Sequence, residues 1–215
     1  AQFENNANMA KNRLFMTDAA LNELYEVFSR AKEIAISQSS DASANADSRI
    51  GVAQEVSALY KQLVSIANRR SGQHYLFGGF KTLNEPYTPD GRFKGDAGEI
   101  PIEVQKDVYV PLNIPGGQVF EVKRLRPGER GPASVDQTNQ SELGNKKEIP
   151  TVELAGEKIG KPLETISAFH ELDALRVGLL TNDTVSIRDT MERLDSVINN
   201  TIVLRTKVSS RVSGI

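Results

Sequence analysis

Apolar residues recur along the last third of the chain at heptad spacing. Leu180, Ile187, Leu194, Thr201 and Val208 fall seven apart, and Thr184, Met191, Ile198, Arg205 and Val212 fall four further on. A stripe that narrow marks a helix burying one seam against partners of similar length. From about residue 183 to 213 it runs roughly 45 Å at about 1.5 Å per residue. Upstream, Pro162 suits a first helical position, where its missing N–H costs no intrahelical bond, and Glu164 then lies in the first turn, where the helix dipole favours a negative charge. The helical arm is therefore expected to begin near 162, with its seam passing through Ile166, Phe169, Leu172, Leu175 and Leu179. Thr181, Asn182 and Asp183 follow Gly178 and predict a break, with Asn182 or Asp183 capping the long helix.

A second rod covers 9 to 38 and can begin as early as Phe3. Leu14, Leu21, Phe28 and Ala35 repeat every seven, Leu24 and Ala31 follow two of them by three, and Ala20, Val27 and Ile34 border the stripe. Ser39 to Ala46 consists of Ser, Asp, Asn and Ala, whose side chains compete for backbone bonds and interrupt helix propagation. Asn45 is the expected N-cap of a third helix running to about Gly72 on Val52, Val56, Leu59, Leu63, Ile66 and Arg70. Helices of this length with short polar breaks bury their stripes on one another, which predicts an antiparallel bundle pairing the N- and C-terminal segments.

Between these helices the period falls to two. Ile100, Ile102 and Val104 alternate with polar residues, as do Val108, Val110, Leu112 and Ile114, and Pro and Gly become frequent. Gly116 and Gly117 read as a turn leading into a strand with Val119, Phe120 and Val122. Arg124 to Lys147 reads as a loop, and Ile149 to Leu154, with Pro150, as an edge strand. The expected fold class is α+β: an elongated antiparallel helical bundle forming a rod domain, with an inserted small β domain. The expected division is 1–83 plus 161–215 for the helical rod and 84–160 for the β-rich insertion.

The formal net charge of -2 selects no nucleic-acid partner, and no apolar run approaches the roughly 18 residues that span a bilayer. With zero Cys there is no disulfide or thiolate chemistry. The chain opens on Ala1 in a polar, Asn-rich stretch, and trimmed ends are expected.

Nothing in the residue pattern points to catalysis. His74 and His170 are the two histidines, too few for a metal site without further ligands. No nucleophile elbow is present, and Gly78-Gly79 lacks the spacing of a phosphate loop. Catalytic, cofactor and metal residues are therefore expected to be absent, and the chain is expected not to be an enzyme. The residues singled out are Leu76, Phe77, Gly78 and Gly79: the two apolar side chains would plug the end of the bundle while the glycines let the backbone turn sharply.

That run extends from Arg69 through His74 and Tyr75 to Phe80, Lys81 and Thr82, and it resembles the signature of the flagellar hook-associated protein 3 family, which is related to flagellin. Pro86-Tyr87, Gly91, Phe93, Gly95-Asp96, Asn113, Gly116 and Val119-Phe120 also look like that family. So do Thr17 to Leu21, Ala31 to Ala35, Arg49, Gln54 to Val56 and Leu59, and, downstream, Leu175, Asn182-Asp183, Ile187, Leu194-Asp195 and Gly214. The family's further N- and C-terminal helices have no counterpart in these residues, so the resemblance implies a fragment lacking the terminal core helices.

The resemblance implies a structural adaptor at the hook-filament junction of the bacterial flagellum, joining hook-associated protein 1 to flagellin. It also implies self-association in a ring, an export chaperone for the full-length chain, and export through the flagellar type III apparatus to an extracellular location. No nucleic acid, membrane or cofactor is implied. One alternative is a flagellin-like filament subunit. Another is a surface adhesion or carbohydrate-binding module using Tyr87, Phe93, Tyr109 and Phe120, although their placement in or beside predicted strands favours core positions.

Overall fold

A computed structural model describes residues 2–40, 45–125 and 163–215. Helix α1 (Gln2–Gln38) buries Ala10, Leu14, Thr17, Leu21, Leu24, Phe28, Ala31, Ala35 and Gln38, alternating four and three residues as the heptad predicts. At about 1.5 Å per residue its 37 residues reach about 56 Å. Helix α2 (Ala46–Ala67) starts where the Asn45 side chain accepts from the Ser48 N–H at 2.8 Å. It ends at Ala67, short of the expected Gly72. Asn68 turns its side chain to the backbone of Tyr87, donating to the carbonyl and accepting from the N–H, both at 2.9 Å. Strands β1 (Arg70–Ser71) and β2 (His74–Tyr75) then pair antiparallel, so Arg70 leaves the helical stripe.

The expected helix start near 162 is corrected. Pro162 lies outside the described residues, and Leu163–Ser167 form a strand, called β6 below; the helix that follows, α4 (Ala168–Leu180), is capped by Ser167. The β-branched pair Thr165-Ile166 favours extended backbone, and Ser167 supplies the oxygen that a helix start requires. Ile166 still enters the core, from the strand. The break at 181–183 is present: Asn182 adopts φ +55° and Asp183 accepts from the N–H groups of Val185 and Ser186, starting α5 (Thr184–Ser213).

The buried seam of α5 is Ile187, Thr190, Leu194, Val197, Thr201, Leu204 and Val208. The first expected row is therefore buried, but its companion lies three residues on, where knobs of an alternating four-three seam belong. Met191, Ile198, Arg205 and Val212 flank it half-buried. Leu180 is 47% exposed, because the turn removes it from the register of α5.

Cross-chain pairs define the directions. Arg188 bonds Ser39, Lys32 pairs with Asp195, and Arg205 with Asp18, so α1 and α5 run antiparallel. Arg49 bonds Asn182 and Tyr60 meets Phe169, so α2 and α4 do the same.

Strands β3 (Pro101–Gln105) and β4 (Val108–Pro111) pair antiparallel, as the alternation predicts. Residues 116–120 do not form the expected turn and strand. Gly116–Phe120 is a short helix, α3, and strand β5 (Glu121–Leu125) follows and pairs with β6. Val119 and Phe120 are both fully buried; neighbours in a strand would point to opposite faces, whereas a helical turn brings both to the core.

Tyr87, Ile114, Val119 and Phe120 share one core with the helices. The chain divides into two compact units, Ala1–Val122 with Thr165–Ile215, and Lys123–Glu164. The expected edge strand at 149–154 lies outside the described residues. Of the loop expected at 124–147, Arg124 and Leu125 belong to β5 and the remainder lies outside them.

Candidate functional site

The run singled out in the sequence follows the β1–β2 pair directly. Leu76 and Phe77 are buried at 1% and 0% exposure. Phe77 meets Phe120 edge-on at 5.4 Å between ring centroids. Phe120 in turn touches Tyr87 and Phe169, at 5.0 and 5.6 Å, so one aromatic cluster joins the chain after α2, α3 and the start of α4.

Gly79 has φ +71°, a region that side chains with a Cβ rarely adopt, and a Cβ built there would overlap both the carboxylate and the carbonyl of Asp96. A Cβ on Gly78 would stand 2.6 Å from the Lys81 carbonyl oxygen. The glycines thus admit a close approach. Asp96 fills the space: one carboxylate oxygen accepts from the N–H groups of Phe80 and Gly98, both at 2.8 Å. These bonds favour the ionised form and hold the Asp96 carboxyl below the ordinary range.

Asn113 completes the turn. It is fully buried, accepts from the Ile100 N–H at 2.7 Å, and donates to the carbonyls of Gly98 and Gly79 at 2.9 and 3.4 Å. Its own carbonyl accepts from Arg211 near the end of α5 at 2.8 Å. Arg211 also donates to Glu99 at 3.1 Å, and Lys207 reaches the same carboxylate at 3.4 Å. Burial raises the pKa of Glu99, but the two cations outweigh it and keep the group low. On the other side, Arg13 of α1 donates to the Tyr75 carbonyl at 3.0 Å. Burial pulls the Arg13 pKa down.

The turn is therefore gripped by α1, by α5 and by the 96–116 stretch. Of the residues doing this, Asp96 and Asn113 entered the sequence analysis only through the family resemblance, and Glu99 and Arg211 had no role in it. Asn113 sat as an ordinary polar position between Leu112 and Ile114 in the apolar alternation, so its burial had no signal in the residue pattern. The histidines occupy different elements: His74 Nδ1 lies 3.0 Å from the Thr82 hydroxyl on the hairpin, and His170 stands in the first turn of α4. Tyr87 and Phe120 are core residues and Phe93 is half-buried, while Tyr109 is 61% exposed. Among the described residues no group of three or more His, Cys, Asp or Glu is placed to hold a metal ion, and no helix is long and apolar enough to cross a membrane.

This antiparallel helical bundle, interrupted between α2 and α4 by strands, has the fold of solved flagellar hook-associated proteins. Xanthomonas campestris FlgL matches with a TM-score of 0.75 and 20% identity, over 99% of this chain and 91% of that one. Hook-associated protein 3 from Legionella pneumophila matches with a TM-score of 0.72 and 17% identity, over 99% and 88%. FlgL from Bacillus cereus gives 0.70 and 15%, over 99% and 84%. At these identities the likeness is one of fold. In sequence, the flagellar hook-associated protein 3 of Escherichia coli strain K12 is 25% identical over 114 residues, which is 52% of this chain and 36% of that protein. The match spans little more than a third of that relative's length. No family model matches the chain.

Proposed function

We propose that this chain is part of a structural adaptor of the bacterial flagellum, the subunit that joins hook-associated protein 1 to flagellin at the hook-filament junction. The observation that carries the reading is the fold shared with FlgL over 99% of the chain. In this reading the protein is exported through the flagellar type III apparatus, with a dedicated chaperone for the full-length chain, and acts outside the cell as a ring of identical subunits. The physical basis is mechanical. Helices α1 and α5 are held side by side by a continuous seam and by the pairs Lys32–Asp195 and Arg205–Asp18, which resist sliding. Phe15, Val185 and Val203 remain 58%, 63% and 64% exposed on those helices and supply apolar surface for neighbouring subunits. Leu76 to Gly79 serve as the fixed joint between α2 and the strands.

Deleting the reading frame that contains this chain from its own bacterium tests the proposal. The expected cells carry hooks without filaments and release free flagellin into the medium, and a copy in trans restores filaments. Filaments of normal length in the deletion strain overturn the reading. Absence of the major flagellin from both cell surface and medium would favour a filament subunit instead.

A further inference from the structure

Between α2, the turn at 88–92 and the start of α4 lies an open cleft of about 580 Å³. This volume falls within the roughly 300–1,000 Å³ of sites that hold small ligands. Close packing fixes its apolar wall. Gly91 lies so near Phe169 that a Cβ there would stand 2.6 Å from Cβ and Cγ of that side chain, and Tyr60 meets the same ring edge-on at 5.9 Å.

Basic side chains reach the cleft from three elements: Lys61 from α2, Arg92 from the turn and Arg176 from α4, with His170 beside them. The acids that line it are Asp90 and Asp173. With His neutral, three cations face two carboxylates, so the lining carries an excess of positive charge. These groups do not count alike. The Arg92 side chain is 81% exposed and pairs with Asp90 within its own turn, so water screens both. Arg176 is half-buried and donates through Nε and Nη2 to one oxygen of Asp173, at 3.0 and 2.7 Å, which leaves its Nη1 as a donor. Lys61 has no acidic partner among the described residues, and its ammonium is the uncompensated charge.

The remaining polar groups are donors as well. Burial, with Asp173 and Asp90 nearby, raises the Tyr60 pKa, so its hydroxyl stays protonated. The Ser57 hydroxyl is already given to the Ala53 carbonyl at 2.9 Å. Charge then selects the ligand. A cation would meet the excess of like charge, and a neutral molecule would gain nothing from Lys61. A dianion such as sulfate would set its second charge against Asp90 and Asp173. A single carboxylate pairs with Lys61 and accepts from Tyr60 and Arg176, while the carbon body that carries it lies against the Tyr60 and Phe169 rings.

We propose that this cleft binds a carboxylate monoanion carried on a small, partly apolar body, with Lys61 as its counter-ion. The same chemistry is offered by a short free organic acid and by a glutamate side chain of a partner. The proposal does not depend on the junction assignment.

The test is titration of the purified chain, followed by amide-shift NMR, with butyrate as the free acid and an end-capped Gly-Glu-Gly peptide as the partner side chain. The matching Gly-Gln-Gly peptide and sulfate are the controls. Saturable binding of at least one carboxylate in the roughly millimolar range is expected, with shifts at Lys61 and His170, and the tighter of the two identifies the source. Lys61→Met, which keeps the apolar stem of an exposed residue, should weaken it by roughly tenfold, about the loss of one charge-assisted bond, and Lys61→Arg should retain it. No saturable binding of either carboxylate, equal binding of the glutamine peptide, tighter binding of sulfate, or unchanged affinity in Lys61→Met overturns the proposal.

Discussion

The guanidinium of Arg211 donates to the carbonyl of Asn113 at 2.8 Å across 98 residues of chain. Since the Asn113 side chain holds the carbonyls of Gly79 and Gly98, the end of α5 is bonded to the residue that sets the turn after α2.

Asn113→Ala would leave the Ile100 N–H and the Gly98 carbonyl unpaired beside a fully buried site. Unmade buried bonds cost about 1–3 kcal/mol each before relaxation, so a loss of about 2–4 kcal/mol is expected by denaturant unfolding. Arg211→Ala should cost less, and the double variant should depart from additivity by about 0.5 kcal/mol or more, as expected for residues in one network. Additive losses would mean that α5 and the turn are not coupled.

Gly79→Ala must place a Cβ against Asp96 in a backbone conformation at φ +71°. Positive φ alone costs about 1–2 kcal/mol for a residue with a Cβ, and the overlap adds to it. Gly78→Val should also destabilise, through the Lys81 carbonyl 2.6 Å away. Unchanged melting in both would show that the turn relaxes freely.

Tyr87→Phe should be neutral or slightly stabilising. The Tyr87 hydroxyl is buried without a hydrogen-bond partner, and burial pushes its pKa up. Removing an unpaired buried polar atom relieves desolvation, while the ring keeps its tilted contacts with Phe93 and Phe169 and its edge contact with Phe120. Asn68→Ala, which strands the backbone of the same tyrosine, should cost about 1–3 kcal/mol. A clear loss in the phenylalanine variant would reveal a bonded hydroxyl.

Acid should weaken the turn. The Phe80 and Gly98 N–H groups hold Asp96 below its ordinary value of 3.8, and the Ser186 hydroxyl and N–H do the same for Asp183 at the start of α5. A carboxyl with a depressed native pKa contributes stability that is fully present above the unfolded value and is lost as pH falls through the native one. Melting should therefore be flat above about pH 5 and drop below about pH 4. Asp96→Asn, which keeps an acceptor oxygen, should make that drop shallower; an identical acid profile would remove Asp96 from the account.

The long seams were legible because nothing in α1 competes with its heptad: Leu14, Leu21, Phe28 and Ala35 are buried where spacing alone placed them. The cap at Asn45 was legible from local side-chain chemistry, and the second cap was narrowed to Asn182 or Asp183, of which Asp183 is the one observed. What escaped depends on distant partners. Asn68 ends α2 by bonding Tyr87, a pairing that no local propensity encodes. Val119 and Phe120 enter the core together because they lie on a helical turn, where Phe120 packs on Phe77 and Phe169. Arg49, only 2% exposed, carries no hydrophobic signal, yet it donates to the carbonyls of Gln38 and Ser40 and to the Asn182 side chain, tying both ends of the helix connections. At the glycine turn, Leu76 to Gly79 stood out by composition, whereas Asp96, Asn113 and Arg211 reach it only through the fold.

The most direct test of the adaptor reading is immunogold microscopy of intact flagella, with an epitope in the full reading frame that contains this chain. The account predicts one narrow band of label per flagellum, where hook meets filament. Label spread along the filament, or confined to the cell body of flagellated cells, would contradict it.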